Sequence, residues 1–501
     1  MHPNPSANSL PHLDYRWVAL ASLLLSAWLI ALDPLINRDA IIYLRAADAY
    51  LQDGFTASQQ HFGRPVLSIC MAWIHQLTGI PLVYAGLAIT TTFYALLCCA
   101  FVASVHTLGG DRRVQLIAAI VILSHPMINN DRSSIMRDPA YWTLLLLALR
   151  EMLLYLRSPT LKHQLRWFTL VILASLFRFE GLFFAALAPL AVLFAKDLAD
   201  KGRHCLHLLV PQLLAIGSLL LGALAYQSRL GPDATAFPSI QRYLDRLAAF
   251  PEQFQSAASA AAQPLLQFTA LEDAPVAAIA ALSALLLLNI CRATTWVWTL
   301  TLLWGWRAHL LERFRRDDAI LLRAHLLIAL AYLAAFVLIN RFMLERYSLQ
   351  LVVFLLLLLP FVLSALWHAG GWRKVLVIVL LLGMSADTLH NGRGDKAFIR
   401  DATEWVRDNT PTDSIIVTNE KYIAYFSRRQ ADWSTLLGIK FDTEDILAHQ
   451  RLWKNSDYMV MYLREGRQES WNEWLEQHSL QELRTFQSGR KGKVVVVALP
   501  H

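Results

Sequence analysis

Charged residues are scarce in this chain. Only 17% of its 501 residues are Asp, Glu, Lys or Arg, whereas 56% are hydrophobic and the mean hydropathy is +0.39. Such a composition excludes a soluble protein of this length, which needs more polar surface. Apolar runs recur from Trp17 to Asp387, many of them near the ~20 residues that cross a bilayer. The composition therefore predicts an α-helical polytopic membrane protein.

Cysteine is scarce as well, and several motifs are missing. The five cysteines lie in or beside apolar segments and form no CxxC pair: Cys70, Cys98, Cys99, Cys205 and Cys291. This pattern excludes a disulfide framework and a zinc site. No cleavage site of small residues follows the first apolar run, which predicts a retained helix rather than a signal peptide. No nucleotide-binding loop is found in the polar tail.

The distribution of positive charge predicts a topology. The net charge of +7 comes from Lys and Arg in short loops between apolar runs, which indicates topology signals rather than nucleic-acid binding. About eleven spans of near-membrane length are predicted: 17–33, 83–107, 114–130, 139–156, 167–178, 181–195, 206–226, 288–306, 322–340, 347–367 and 373–387. The loops with Arg112, Lys162, Lys201, Arg307 and Lys374 are then cytoplasmic, and an odd number of spans places the tail outside.

Two regions leave that count open, and the tail differs from the rest. Residues 65–79 are expected to form a helix in the outer interface. Residues 276–306 form either one long tilted helix or a helix whose first part follows the outer surface. We predict a transmembrane domain over 1–387, with outer loops 34–82 and 227–275, and an α/β domain over 388–501. Strands of that domain are expected at 414–418, 457–462 and 493–497. The loop 227–275 is expected to form short helices that cover a cavity.

The predicted outer loops contain arginine but no lysine. The planar guanidinium binds phosphate in a bidentate manner, which favours an anion site where several arginines lie near acidic residues. Each of these arginines taken alone could equally anchor a helix at lipid headgroups.

Short motifs resemble a known superfamily in their order. They are Arg38-Asp39-Ala40-Ile41-Ile42-Tyr43, Gly63-Arg64-Pro65-Val66-Leu67, Arg137-Asp138-Pro139-Ala140, Leu176-Phe177-Arg178-Phe179-Glu180-Gly181 and Arg346-Tyr347-Ser348-Leu349. Together they resemble the polyprenyl-phosphate-dependent glycosyltransferases of the GT-C superfamily, and in particular the bacterial protein-mannosyltransferase-like and aminoarabinose-transferase-like group. The resemblance covers nearly the whole chain and implies the GT-C fold.

The resemblance implies transfer of a monosaccharide from a polyprenyl-phosphate donor to an acceptor hydroxyl, with inversion. Asp39 is expected to be the general base. The alternative is that Asp39 only caps the helix that follows it. Asp138 would bind the acceptor or orient Asp39, with capping again the alternative. Ala40 stands where the superfamily often has a second acid. No cofactor is therefore required, and a divalent cation is possible but not indicated.

The remaining candidates would contact the donor. Arg64 is the first choice for its phosphate, followed by Arg346, Arg137 and Arg178. Tyr43 would line the sugar pocket or anchor the helix at the interface, and His61 would contact phosphate or be an ordinary loop histidine. Glu180 is expected to pair with Arg178 or a neighbour. Asp39 and the arginines are expected to meet in one pocket.

The resemblance also implies a location and partners. It indicates a bacterial inner membrane, with the active site and the tail on the periplasmic side. The acceptor would be a glycolipid, a polysaccharide or a protein, and no nucleic acid is involved. Three alternatives remain: a transporter or flippase of lipid-linked sugars, a polyprenyl-diphosphate-dependent glycan ligase, and a structural assembly subunit.

Overall fold

The computed structural model describes residues 12–33, 35–230, 238–264, 266–309, 314–390, 396–438, 443–464, 466, 468–487 and 492–500. The chain divides into two compact units. The first comprises Met1–Leu25, Thr91–Asp131 and Arg137–Leu389. The second comprises Ser26–Thr90, Arg132–Met136 and His390–His501. Each unit is described by itself.

Helices dominate the chain up to residue 389. In order they are α1 (Tyr15–Leu32), α2 (Arg38–His61), α3 (Val66–Thr78), α4 (Leu82–Thr107), α5 (Arg112–Leu123), α6 (Pro126–Asn129), α7 (Asp138–Arg157), α8 (Leu161–Phe177), α9 (Gly181–Leu187), α10 (Lys201–Leu230), α11 (Pro238–Ala262), α12 (Ala274–Thr294), α13 (Trp296–Arg307), α14 (Arg316–Asn340), α15 (Glu345–Leu356), α16 (Leu359–His368) and α17 (Trp372–Leu389). Short 3-10 helices cover Ala188–Phe194 and Phe268–Asp273.

The tail combines short helices with strands. They are α18 (Ala397–Asn409), β1 (Ile415–Thr418), α19 (Lys421–Phe426), β2 (Gln430–Ala431), α20 (Trp433–Gly438), α21 (Thr443–Ala448), β3 (Tyr458–Leu463), α22 (Gln468–His478), β4 (Arg484–Gln487) and β5 (Lys493–Ala498), with a 3-10 turn at Gln450–Leu452.

Several helices are long and apolar enough to cross a bilayer. Among the described residues five meet this condition on their own: α1, α4, α7, a helical stretch over Ala270–Thr294, and α14. The pair α15 and α16, bent by 45°, raises the number to six. Each predicted span overlaps a helix, so the helical membrane fold is confirmed. The count of about eleven spans stays a prediction, because many of those helices are shorter or broken.

Two later regions differ from what the sequence suggested. Of the two alternatives for residues 276–306, the single long helix is excluded, because Thr295 separates α12 from α13 with φ 67° and ψ 142°. The alternative in which the first part follows the outer surface stays a prediction. The Thr295 hydroxyl accepts the Trp298 N–H at 3.4 Å and so caps α13. Within 227–275, α11 is a single helix of 25 residues rather than several short ones, with Pro251 inside it. The Ala-rich sequence that follows Pro251 favours the helix. Residues 231–237 and 265 lie outside the described part of this loop.

The second unit contains a five-stranded sheet in the order β2-β1-β3-β5-β4. Strand β1 is parallel to β2 and β3, whereas β5 is antiparallel to β3 and β4. Alternate residues of β3 and β5 fill two separate clusters. Met459, Met461 and Val495 pack with Trp471 of α22, whereas Val460, Val494 and Val496 pack on the opposite face, against α18. The strands predicted near 414–418, 457–462 and 493–497 are present as β1, β3 and β5.

Candidate active site

In the second unit, Asp39 lies in the first turn of α2. Asn37 occupies the N-cap position with extended φ and ψ, and Arg38 and Asp39 are the first two helical residues. The Asn37 side chain accepts the Ile135 N–H at 3.0 Å. Asp39 is therefore not the cap residue of this helix, although a carboxylate in the first turn interacts favourably with the helix dipole.

The side chains beside Asp39 come from the tail. Arg38 donates to both carboxylate oxygens of Glu420, through Nε at 3.3 and 3.2 Å and through Nη2 at 2.5 Å. Glu420 is only 4% exposed and is the N-cap residue of α19. Burial lowers the pKa of the next residue, Lys421, and the negative charge of Asp39 acts in the opposite direction. Asp39 therefore interacts electrostatically with a partly buried lysine.

One face of α2 continues this interface. Arg45 lies over the ring of Trp433, with its Cζ 3.9 Å from the centroid. The Tyr425 hydroxyl donates to Asp48 Oδ2 at 2.6 Å. Burial raises the pKa of Asp48 and that hydrogen bond opposes the shift. Positions 38, 45 and 48 recur at helical spacing, so one side of α2 contacts the tail within this unit.

Sequence reasoning missed Glu420, Lys421, Tyr425 and Trp433 as partners of α2. They are separated from it by more than about 350 residues and carry no recognisable motif. The one available signal was the pair Glu420-Lys421, whose charges are opposite to those of Arg38-Asp39 in the same order.

A kink at Gly54 folds the last part of α2 back against the part of the helix that precedes the kink. The φ of 78° and ψ of −161° at Gly54 lie in a region that other residues rarely adopt, so Gly54 sharply kinks the helix. After the kink, the Ser58 hydroxyl donates to the carbonyl of Ala46 at 2.7 Å. His61 ends the folded-back segment, and burial and the positive charge of Arg45 lower its pKa.

The other two candidates in this unit are Tyr43 and Arg64. Tyr43 is buried and packs edge-to-face on Phe62, with centroids 5.1 Å apart. Arg64 is half-buried in the turn between α2 and α3. The structure therefore places Asp39, Tyr43, His61 and Arg64 on one kinked helix and the turn that follows it.

In the first unit, Arg178 joins two candidate carboxylates. It follows α8 and donates through Nη1 to Asp138 Oδ1 and through Nη2 to Glu180 Oε1, the latter at 2.5 Å. All three residues are more than nine-tenths buried. Asp138 is the first residue of α7 and Arg137 is its N-cap, so Asp138 is not the cap residue. The expected pairing of Glu180 with Arg178 is present.

Two tyrosine rings complete this cluster. The Arg178 Cζ lies 5.7 Å from the ring centroid of Tyr141 and 5.4 Å from that of Tyr347. The Arg346 Cζ lies 5.3 Å from the same Tyr347 ring. Cation–π contacts of this kind stabilise a guanidinium by about 1 kcal/mol. Tyr347 thus connects the two arginines.

Arg137 borders the cluster from the start of α7. Its Nη1 donates to the carbonyl of Phe177, the residue before Arg178, at 3.3 Å. The structure therefore brings together five predicted residues: Arg137, Asp138, Arg178, Glu180 and Arg346.

The two sets of residues lie in different units, and the single pocket expected from the sequence stays a prediction. Each set combines carboxylates with guanidinium or ammonium groups. Over the described ranges no group of three or more His, Cys, Asp or Glu side chains has the arrangement of a metal site.

Comparisons of sequence find no relatives: no protein-family profile and no curated protein matches the chain. Solved structures do match. ArnT from Cupriavidus metallidurans, bound to undecaprenyl phosphate, has a TM-score of 0.51 and 14% identity, over 97% of this chain and 98% of that one. Apo ArnT gives a TM-score of 0.52 at the same identity, over 96% and 98%.

A further match is the oligosaccharyltransferase AglB from Archaeoglobus fulgidus, in complex with an inhibitory peptide and a dolichol-phosphate. Its TM-score is 0.49 at 14% identity, over 89% of this chain and 69% of that one. The two ArnT matches extend over almost the full length of both chains. They show that the chain has the GT-C fold that the order of its motifs indicates.

Proposed function

We propose that this membrane protein, which has the GT-C fold, is an inverting glycosyltransferase that moves a monosaccharide from a polyprenyl-phosphate donor to an acceptor hydroxyl. The observation that carries the proposal is the match over almost the full length of both chains to an ArnT structure that holds undecaprenyl phosphate. The buried arginine and carboxylate cluster of the first unit supports it, because such charges are costly beside hydrocarbon and usually mark function.

Asp39 is the general base of the proposed reaction. The acceptor oxygen attacks the anomeric carbon while the bond from that carbon to the phosphate oxygen breaks. The hydroxyl proton passes to the Asp39 carboxylate, and polyprenyl phosphate leaves. One in-line displacement of this kind inverts the anomeric centre. Lys421 interacts electrostatically with this carboxylate.

The arginines balance the charge of the departing phosphate. We assign Arg64, Arg346 and Arg137 to the phosphate, and His61 and Tyr43 to the walls around donor and sugar. Both Nη groups of Arg178 donate to carboxylates. We therefore give Arg178 the role of holding Asp138 and Glu180, which would orient the acceptor.

The location and partners follow from the same proposal. Nucleotide sugars are absent outside the inner membrane, so a sugar donor there must be carried on a lipid. The active site and the tail are proposed to face the periplasm of a bacterial inner membrane. A glycolipid, a polysaccharide or a protein would accept the sugar.

The test is transfer by the purified protein, with acceptors found by mass analysis of envelope glycans from a deletion strain. We expect Asp39→Asn to lower the rate at least about 100-fold, because a positioned base contributes about 10²–10⁴-fold. Asp53→Asn, an exposed position on the same helix, is the matched control and should retain full activity. Full activity in Asp39→Asn would remove Asp39 from the mechanism.

The same preparation separates the alternative functions. In proteoliposomes, a transporter or flippase would move the labelled lipid across the bilayer without forming a new glycosidic bond. A glycan ligase would require a diphosphate donor that carries an oligosaccharide. Either result in place of monosaccharide transfer would contradict the proposal.

A further inference from the structure

A second polar site lies in the first unit, apart from the residues discussed so far. A cavity of about 530 Å³ opens between the end of α7, the start of α8 and the start of α10. Its polar lining comes from Tyr155, Thr160, Gln164, Arg203, His204 and His207. None of these residues takes part in the proposed transfer reaction.

Hydrogen bonds assign separate roles to these side chains. Gln164 Nε2 donates to the backbone carbonyl of His207 at 2.6 Å and so ties α8 to α10. The Tyr155 hydroxyl is 3.0 Å from His204 Nδ1. When this hydroxyl donates, Nε2 of His204 carries the ring proton and can donate it to a ligand. Together with the guanidinium of Arg203, the cavity therefore presents hydrogen-bond donors to its occupant.

The other part of the lining is apolar. Pro159, Leu161 and Val210 form it, and both Leu161 and Val210 are exposed on the surface of their helices. A ligand that fits has a polar anionic end and an apolar remainder. A divalent metal fits poorly, because Arg203 adds a positive charge and Tyr155 already occupies one ring nitrogen of His204.

The surrounding sequence favours a lipid over a soluble anion. Lys162 and Lys201 lie in the first turns of the same helices, α8 and α10, and the charge distribution assigns these helix ends to the cytoplasmic side. Basic pockets between helices on that side of a membrane bind anionic headgroups. We propose that this cavity binds the phosphate headgroup of an anionic phospholipid, with an acyl chain along Leu161 and Val210.

Native mass spectrometry of the purified protein, titrated with phosphatidylglycerol or phosphatidylcholine, tests this proposal. We expect tighter retention of phosphatidylglycerol by the wild type. Arg203→Gln should weaken that binding about fivefold, because each Lys or Arg near an anionic headgroup contributes about 1 kcal/mol. Arg166→Gln is the matched control, since Arg166 is an exposed arginine of α8 that does not line the cavity.

Two further measurements distinguish a lipid headgroup from free phosphate and control for misfolding of the variants. Millimolar inorganic phosphate should not displace the lipid, and displacement would instead indicate a soluble phosphate ligand and overturn the lipid assignment. An equal loss of phosphatidylglycerol binding in Arg203→Gln and Arg166→Gln would also overturn the proposal. Equal retention of phosphatidylglycerol and phosphatidylcholine by the wild type would do the same. If the melting temperatures of the variants are unchanged, a loss of lipid binding arises at the cavity and not from misfolding. The result does not depend on glycosyl transfer.

Discussion

Asp138 and Glu180 share one buried guanidinium, and this makes them more sensitive to substitution than the exposed acids of the chain. We expect Asp138→Asn to destabilise the protein by about 1.5–3 kcal/mol, because it removes a hydrogen bond between two charged groups while Glu180 still compensates the charge of Arg178. Thermal unfolding in detergent measures the loss, with the exposed Asp53→Asn as the control. Equal melting temperatures for the two variants would show that the Asp138–Arg178 pair adds no stability.

Arg64 is expected to act on binding of the donor rather than on the fold. Arg64→Ala should raise the KM for the polyprenyl-phosphate sugar at least about tenfold, because a hydrogen bond to a charged group contributes about 1.5–3 kcal/mol. The KM for the acceptor should stay unchanged, as should the melting temperature. Steady-state kinetics with each substrate varied in turn makes the measurement. A change confined to acceptor affinity would remove Arg64 from the phosphate site.

Sequence reasoning at the residue scale found the charges that lie within recognisable motifs. The order of Arg137, Asp138, Arg178, Glu180 and Arg346 along the chain already suggested a common site, and the structure brings these five together. The role of Tyr347 between two arginines could not be predicted, because a cation–π contact depends on the distance between elements that are remote in sequence. Glu420 and Lys421 were missed for the same reason.

At the scale of elements, the start of α2 depends on Glu420. Arg38 is about half exposed whereas Glu420 is buried, so the pair is expected to contribute about 1 kcal/mol. Glu420→Gln should speed hydrogen exchange of the amides in the first turns of α2. The charge-exchanged double variant, Arg38→Glu with Glu420→Arg, should restore part of the protection. The exposed Glu473→Gln is the control, and equal exchange in Glu420→Gln and Glu473→Gln would rule out this role.

The elements that sequence predicted well are those with strong local patterns. Apolar runs with β-branched or aromatic residues indicated β1, β3 and β5, whereas β2 and β4 are short and more polar and were missed. The break at Thr295 was not predicted, because positive φ is rare for a β-branched residue and nothing in the sequence around it marks one. Strands β1, β3 and β5 were therefore predictable because each is almost continuously apolar and buried.

For the whole molecule, the fold was predictable although sequence comparison finds no relative. The match to ArnT at 14% identity shows that two very different sequences share this architecture. The number of membrane crossings is less predictable, because it depends on helices that bend or break. Pro360 follows the first residue of α16 at the 45° bend, and Pro211 lies inside α10. A hydropathy pattern alone does not distinguish a broken span from two separate helices.

The predicted topology can be tested on the complete chain with alkaline phosphatase fusions. This reporter is active only where its disulfides form, outside the cytoplasm. An odd number of spans places the tail outside, so a fusion after His501 should be active and fusions after Lys162 or Lys201 inactive. Six spans, the number reached by counting the bent pair, would place both termini on the same side. An inactive fusion after His501, with normal expression of the protein, would therefore exclude a periplasmic tail and with it the external location of Glu420, Lys421 and the proposed base.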